Sequence, residues 1–155
     1  MANRYITEAF MDAAVAILLV ETASRRNAMT ISCFSEVAHY PAAIWVSVEK
    51  DSYTHELLQE TNRFSLAVLN QRQLKLARNC GTVSGRTVDK CANLDLYRSP
   101  KGFLFLQGAL ASTGAEVSKM EDIGSQTLFV GKIVEADFCS RASTLRHLLI
   151  SDLSE

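Results

Sequence analysis

The sequence predicts a mainly β protein, an antiparallel barrel with a few helices packed outside it. Three observations point there. Strand-like runs outnumber helical ones, and they follow one another at short spacing. Few are joined by the dozen or more residues that a parallel crossover needs, which favours antiparallel pairing. Several runs are apolar on both faces, among them AAVAILLV over 13–20 and AIWVSV over 43–48. Closing such strands into a barrel removes exposed edges. A small chain cannot cover both faces of every such strand, which predicts a homodimer.

Along the chain, Ile6–Ala13 reads as a short helix with Thr7 as its N-cap. Ala13–Val20 is a buried strand, and the charged Glu21–Arg26 segment is a turn. Asn27–Ser32 is a second strand, with β-branched Thr30 and Ile31. Pro41 marks a turn, and Ala43–Val48 is a third strand. Lys50–Thr54 opens an amphipathic helix, with Leu57 and Leu58 on one side and Glu56, Gln59 and Glu60 on the other. Asp51 or Ser52 is its natural N-cap. Phe64–Leu69 is a strand, and Gln71–Asn79 is a helix with Leu74, Leu76 and Ala77 inward. The polar, glycine-containing stretch Cys80–Lys90 is a loop. Leu104–Ala111 and Gln126–Asp137 are strands, and Arg141–Ile150 is a closing helix.

Composition narrows the function. A chain of 155 residues, 48% hydrophobic and 21% charged, fits one folded domain over 1–155. Sixteen basic against seventeen acidic residues give a net charge of −1, without the positive surplus that nucleic-acid binding needs. No apolar run reaches the roughly 18 residues of a membrane span. Acidic residues before 13–20 and arginines after it do not fit a secretory leader, so no membrane partner and a cytoplasmic location are expected. Cys33, Cys80, Cys91 and Cys139 form no C-x-x-C pair, which speaks against zinc or a disulfide framework. No metal site is expected. His39, His55 and His147 are scattered and read as surface or interface residues.

There is no G-x-G-x-x-G, no P-loop, no H-E-x-x-H and no G-x-S-x-G. Three segments remain. Arg25-Arg26-Asn27-Ala28-Met29-Thr30-Ile31-Ser32 gathers polar side chains on a strand behind two arginines. Asp51-Ser52-Tyr53-Thr54 places two hydroxyls at a helix N-terminus, where free N–H groups and the dipole favour an anion. Singly, Ser52 and Thr54 are more often plain caps. Ser84-Gly85-Arg86-Thr87-Val88-Asp89-Lys90 sets Arg86 and Lys90 on a glycine-bearing loop, within reach of one phosphate or simply paired with Asp89.

Together these segments resemble the flavin reductase-like family of FMN-binding split barrels, in particular its flavoredoxin and rubredoxin-oxidoreductase modules. The likeness rests on NAMTIS, the S-Y-T-H-E-L helix start, C-G-x-x-S-G-R-x-V-D-K and T-L-F-V-G-x-I-V-E-A, in the family's order over about residues 5–140. It implies a six-stranded antiparallel split barrel, a homodimer, one FMN per subunit near the dimer interface, and reduction by NADH or NADPH. By position, Asn27, Ala28, Met29 and Thr30 would line the isoalloxazine and ribityl chain, with Ser32 and Cys33 close behind. Ser52 and Thr54, with Tyr53 between them, would hold the phosphate. Lys90, with Arg86, would balance its charge. Backbone N–H groups of Ala28–Thr30 would suit the flavin's carbonyl and N5 edge. No catalytic acid or base is implied.

The chain departs from the family at four places. Cys33 stands where many relatives carry Trp, and Leu66-Ala67-Val68 replaces V-N-V. Gly124-Ser125-Gln126 replaces G-D-H, whose histidine lies near the flavin, and Ala111–Glu116 replaces a W-L-E-C run. Gln126 can hydrogen-bond but cannot titrate. The resemblance implies an oxidoreductase passing electrons from NAD(P)H through FMN to a flavin, metal or protein acceptor. The alternative is an FMN-binding electron-transfer module without efficient NAD(P)H oxidation.

Overall fold

The computed structural model describes residues 13–138. The helices predicted over 6–13 (save Ala13) and 141–150 lie outside the described residues, as do Cys139 and His147. The main sheet holds seven antiparallel strands. They are β1 (Ala16–Glu21), β2 (Arg26–Ile31), β3 (Phe34–His39), β4 (Ala42–Glu49), β5 (Arg63–Val68), β8 (Ala111–Ile123) and β9 (Gln126–Phe138). The short strands β6 (Leu96–Arg98) and β7 (Leu104–Leu106) form a separate hairpin. Helix α1 spans Tyr53–Thr61 and helix α2 spans Leu74–Thr82.

The sheet order is β2-β1-β5-β8-β9-β4-β3, so its two edges are consecutive in sequence. Six interstrand steps of ~4.8 Å would part them by roughly 29 Å in a flat sheet. Ile31 and Phe34 are three residues apart, a reach of at most ~10 Å. The sheet must therefore curl until β2 and β3 meet at one end. The ladder does not close. The mainly β expectation holds, but the six-stranded split barrel is corrected to a curled, unclosed seven-stranded sheet with a two-stranded hairpin beside it. β8 and β9 supply the bending, with register shifts at Gly114/Ala115 and Val117/Lys119.

Alternation divides the core. Ala16, Leu18 and Val20 of β1 join Ile44, Val46, Val48, Phe64, Leu66 and Phe129 inside the curl. Val15, Ile17 and Leu19 join Ala67, Leu69, Ala77, Cys80, Leu104 and Leu106 on the outer face. The two apolar faces of 13–20 are therefore both covered by this chain, through α2 and β7, and this run does not require a second copy. On β4 only Ile44, Val46 and Val48 are buried, while Trp45 and Ser47 are half-buried. Among the described residues, no helix is long and apolar enough to cross a membrane.

Of the helices, α2 lies outside the sheet as expected. By contrast, α1 sends Leu57 and Leu58, both fully buried, into the inner core. Each such burial is worth roughly 1.5–3 kcal/mol. Asn62 ends α1 in the left-handed conformation (φ 52°), and its N–H donates to the Leu58 carbonyl. This anchoring fixes where the first turn of α1 sits against β2, and the candidate site is built there.

Candidate functional site

Ser52 is the N-cap of α1: its Oγ accepts from the His55 N–H at 3.2 Å. Thr54 is 1% exposed, and its Oγ1 accepts from Asn27 Nδ2 at 2.9 Å. That bond fills an acceptor position on Thr54 and leaves its O–H free to donate. Asn27 is 2% exposed, and its Oδ1 has no hydrogen-bond partner. A buried, unmatched acceptor beside a free donor is costly in an empty fold and useful in a binding site.

Residues 84–89 lie over this pair. A Cβ on Gly85 would come within 2.1 Å of Asn27 Oδ1 and 2.8 Å of Tyr53 Cδ1. Only glycine allows so close an approach. Arg86 and Arg25 flank the Tyr53 ring, at 5.3 and 5.9 Å from its centroid. Glu56 accepts from Arg86 Nη1 at 2.6 Å and from Arg25 Nη1 at 2.5 Å. Arg25 also pairs with Glu60, and Arg26 with Asp89 at 2.8 Å. Arg86 Nη2 donates to the Asp51 carbonyl at 3.3 Å. Asp89 therefore pairs with neither Arg86 nor Lys90. The Glu21–Arg26 turn, Tyr53 and Gly85–Asp89 enclose a cleft of about 490 Å³.

Beside this cleft runs β2, an edge strand whose outward backbone groups have no ladder partner. Ala28 is buried, while Met29, Thr30 and Ser32 are half-buried. Thr30 is turned to α2, where its Oγ1 donates to the Ala77 carbonyl at 2.5 Å. Cys33 is exposed between β2 and β3.

Lys90 faces the other side of the 84–89 loop. It is 9% exposed, and its Nζ donates to the Cys80 carbonyl at 2.9 Å near the end of α2. It lines a second cleft of about 620 Å³ with Arg72, Lys75, Asn79 and Leu94. Burial pulls its ammonium below the usual lysine range. Burial also pushes the Cys80 thiol up, and the Cys91 thiol up to about 12, so both are neutral near pH 7. Thus Asn27, Ser52, Tyr53, Thr54 and Arg86 converge, whereas Lys90 is spent on a different face of the loop.

Gln126 opens β9 and accepts weakly from Ser47 Oγ at 3.4 Å. The β8–β9 turn is tied to the approach to α1 by Lys50 N–H donating to the Ser125 carbonyl at 3.0 Å. His55 is the residue that sequence reasoning missed. It is 7% exposed, not a surface histidine, and its Nε2 lies 2.8 Å from Thr127 Oγ1. Thr127 donates to Asp122 at 2.8 Å, so it must accept from His55 Nε2–H. Burial holds this imidazole below its usual pKa. Its place three residues after the N-cap Ser52 was the available signal. His39, by contrast, is exposed and pairs with Glu36. Among the described residues, no cluster of His, Cys, Asp or Glu could hold a metal ion.

The chain is 29% identical over 122 residues to the high molecular weight rubredoxin of Moorella thermoacetica, covering 77% of this chain and only 53% of that protein. It is 26% identical over 144 residues to the ferric-chelate reductase (NAD(P)H) of Archaeoglobus fulgidus, covering 90% of this chain and 85% of the relative. Among solved structures, the FMN-binding protein of Thermus thermophilus with bound 1-cyclohex-2-enone superposes with a TM-score of 0.79 at 26% identity, over 83% of this chain and 72% of that one. The family model described as "flavin reductase like domain" matches residues 9–150. With a match of that extent, the chain belongs to the flavin reductase-like domain family.

Proposed function

We propose that the chain is an FMN-binding oxidoreductase that passes electrons from NAD(P)H through the flavin to a flavin, metal or protein acceptor. The carrying observation is the buried Asn27–Thr54 pair, with its unmatched Oδ1 and free hydroxyl, under Gly85 and beside Arg86. Thr54 and Ser52 would donate to phosphate oxygens, and Arg86 would supply charge. Asn27 Oδ1 would accept from a ribityl hydroxyl. The unpaired edge of β2 over Ala28–Thr30 would offer backbone groups to the ring. Tyr53 would shield the phosphate end, and Ser32, Cys33 and Gln126 would border the ring. Lys90 would have to leave the Cys80 carbonyl to reach the phosphate, so its part is that of a nearby positive charge. Flavin carries the hydride and electron chemistry when bound, and the chain's share is binding, orientation and electrostatics. FMN is favoured over FAD by the short anion cradle and by the FMN-binding relative of known structure.

A homodimer fits the exposed Val37, Tyr40, Met120, Ile123 and Phe138. A cytoplasmic site of action accords with thiols left unpaired at Cys33, Cys80 and Cys91.

The test is the visible spectrum of the purified protein, then anaerobic addition of NADH and of NADPH. A flavin band that bleaches supports the proposal and names the donor. A protein that neither carries nor binds FMN refutes it. Gln126 at the histidine position favours the second reading, a flavin module with poor NAD(P)H turnover. Under that reading Gln126→His raises NAD(P)H oxidation at least tenfold, and an unchanged rate removes it.

A further inference from the structure

Glu56 lies in the first turn of α1 and takes both arginines that flank Tyr53. Arg86, also bonded to the Asp51 carbonyl, therefore already sits over the first turn of α1, its charge matched by a carboxylate of the same helix. The other arginines of the cleft are matched as well: Arg25 by Glu56 and Glu60, Arg26 by Asp89. The guanidinium of Arg86 beside Glu56, then that of Arg25, hold this carboxyl below its ordinary range, so it stays ionised at neutral pH. A phosphate arriving at Ser52 and Thr54 meets an Arg86 that is committed elsewhere.

We infer that Glu56 is an internal competitor for the flavin phosphate, a carboxylate that holds Arg86 in place and by the same contact weakens the site's grip on the incoming anion. The inference rests on the phosphate reading above. It makes Glu56 an affinity-setting residue that shifts the chain toward exchanging its flavin. The opposite role, in which Glu56 only props Arg86 in a productive pose, predicts the opposite sign.

The test is titration of FMN and of riboflavin, which has the same ring without the phosphate, by fluorescence quenching. Wild type, Glu56→Gln and Glu60→Gln are compared. Glu60 sits on the same helix and bonds Arg25 but not Arg86, so its substitution changes net charge equally. Glu56→Gln is expected to tighten FMN roughly two- to fivefold, the range of one exposed ion pair, and to leave riboflavin unchanged. Glu60→Gln should move FMN less, and adding Arg86→Ala to Glu56→Gln should erase the gain. Weaker FMN binding in Glu56→Gln, or equal tightening in both single variants, overturns the inference. A wild type that binds FMN no better than riboflavin overturns the phosphate reading itself, and the inference with it.

Discussion

Thr54→Val removes one hydroxyl and keeps the side chain's shape, at a site only 1% exposed. In the folded protein it deletes the acceptor for Asn27 Nδ2, 2.9 Å away. Asn27 Oδ1 already lacks a partner, so the whole amide would then be buried without a hydrogen bond. Such an unsatisfied donor costs about 1–3 kcal/mol, and urea unfolding should register a loss in that range. Flavin binding would lose a charge-assisted hydrogen bond, worth about 1.5–3 kcal/mol, or roughly 10- to 150-fold in the FMN dissociation constant. The double variant Asn27→Leu/Thr54→Val separates the two effects. With both polar partners gone, stability should return most of the way to wild type, while affinity should not. Stability within about 0.3 kcal/mol of wild type in Thr54→Val would refute the buried pair. Unchanged FMN affinity would refute the phosphate assignment.

The other predictions come from burial and charge. The folded-state pKa of His55 is lowered, so its share of stability is present above the unfolded value of about 6.5 and is lost as pH falls through that value toward the folded one. Asp122 opposes this lowering and Lys50 reinforces it. Wild type should therefore destabilise more than His55→Gln between pH 7 and 5, and parallel urea midpoints would disprove it. Lys90→Met deletes a buried ammonium whose recorded partner is a carbonyl, so stability should hold or rise while FMN affinity falls several-fold. A loss of stability without a change in affinity would make Lys90 purely structural. Gly114→Ala would drive a Cβ to 2.4 Å from the Phe103 ring and should cost about 1–3 kcal/mol in urea unfolding.

Local pattern made β1, β2, β4, β5, β9 and both described helices readable, because each carries apolar periodicity or a cap signal of its own. Helix α2 begins later and runs further than read, over Leu74–Thr82 after a 3₁₀ turn at Gln71–Gln73. The strand read over Leu104–Ala111 ends at Leu106, and β8 escaped save for its first residue, Ala111: the mostly polar ASTGAEVSKMEDI is a strand because β5 and β9 pair with it. Strand β3 likewise has little buried surface and exists through its ladder with β4. At the site, Ser52, Thr54 and Arg86 were legible from helix-cap and charge chemistry. The Asn27–Thr54 bond, the reason for glycine at 85, and the His55–Thr127–Asp122 relay were not. Each joins residues from 27 to 72 positions apart, except Thr127 and Asp122, which face each other across the β8–β9 turn.

The ladder between β4 and β9 matters for how the chain is made. Ala43 pairs with Lys132, and Glu49 with Gln126, so β4 waits for nearly ninety residues of synthesis before its second neighbour exists. At ≈ 5–20 residues per second, that is roughly five to twenty seconds on the ribosome. During this interval Ile44, Val46 and Val48 are translated, but one edge of β4 has no partner strand and Phe129 is still missing from their core. Contacts of such long sequence separation form slowly. A ribosome-stalled nascent chain ending before Gln126 should therefore recruit chaperones and expose aggregation-prone surface, and extending it past Phe138 should end both.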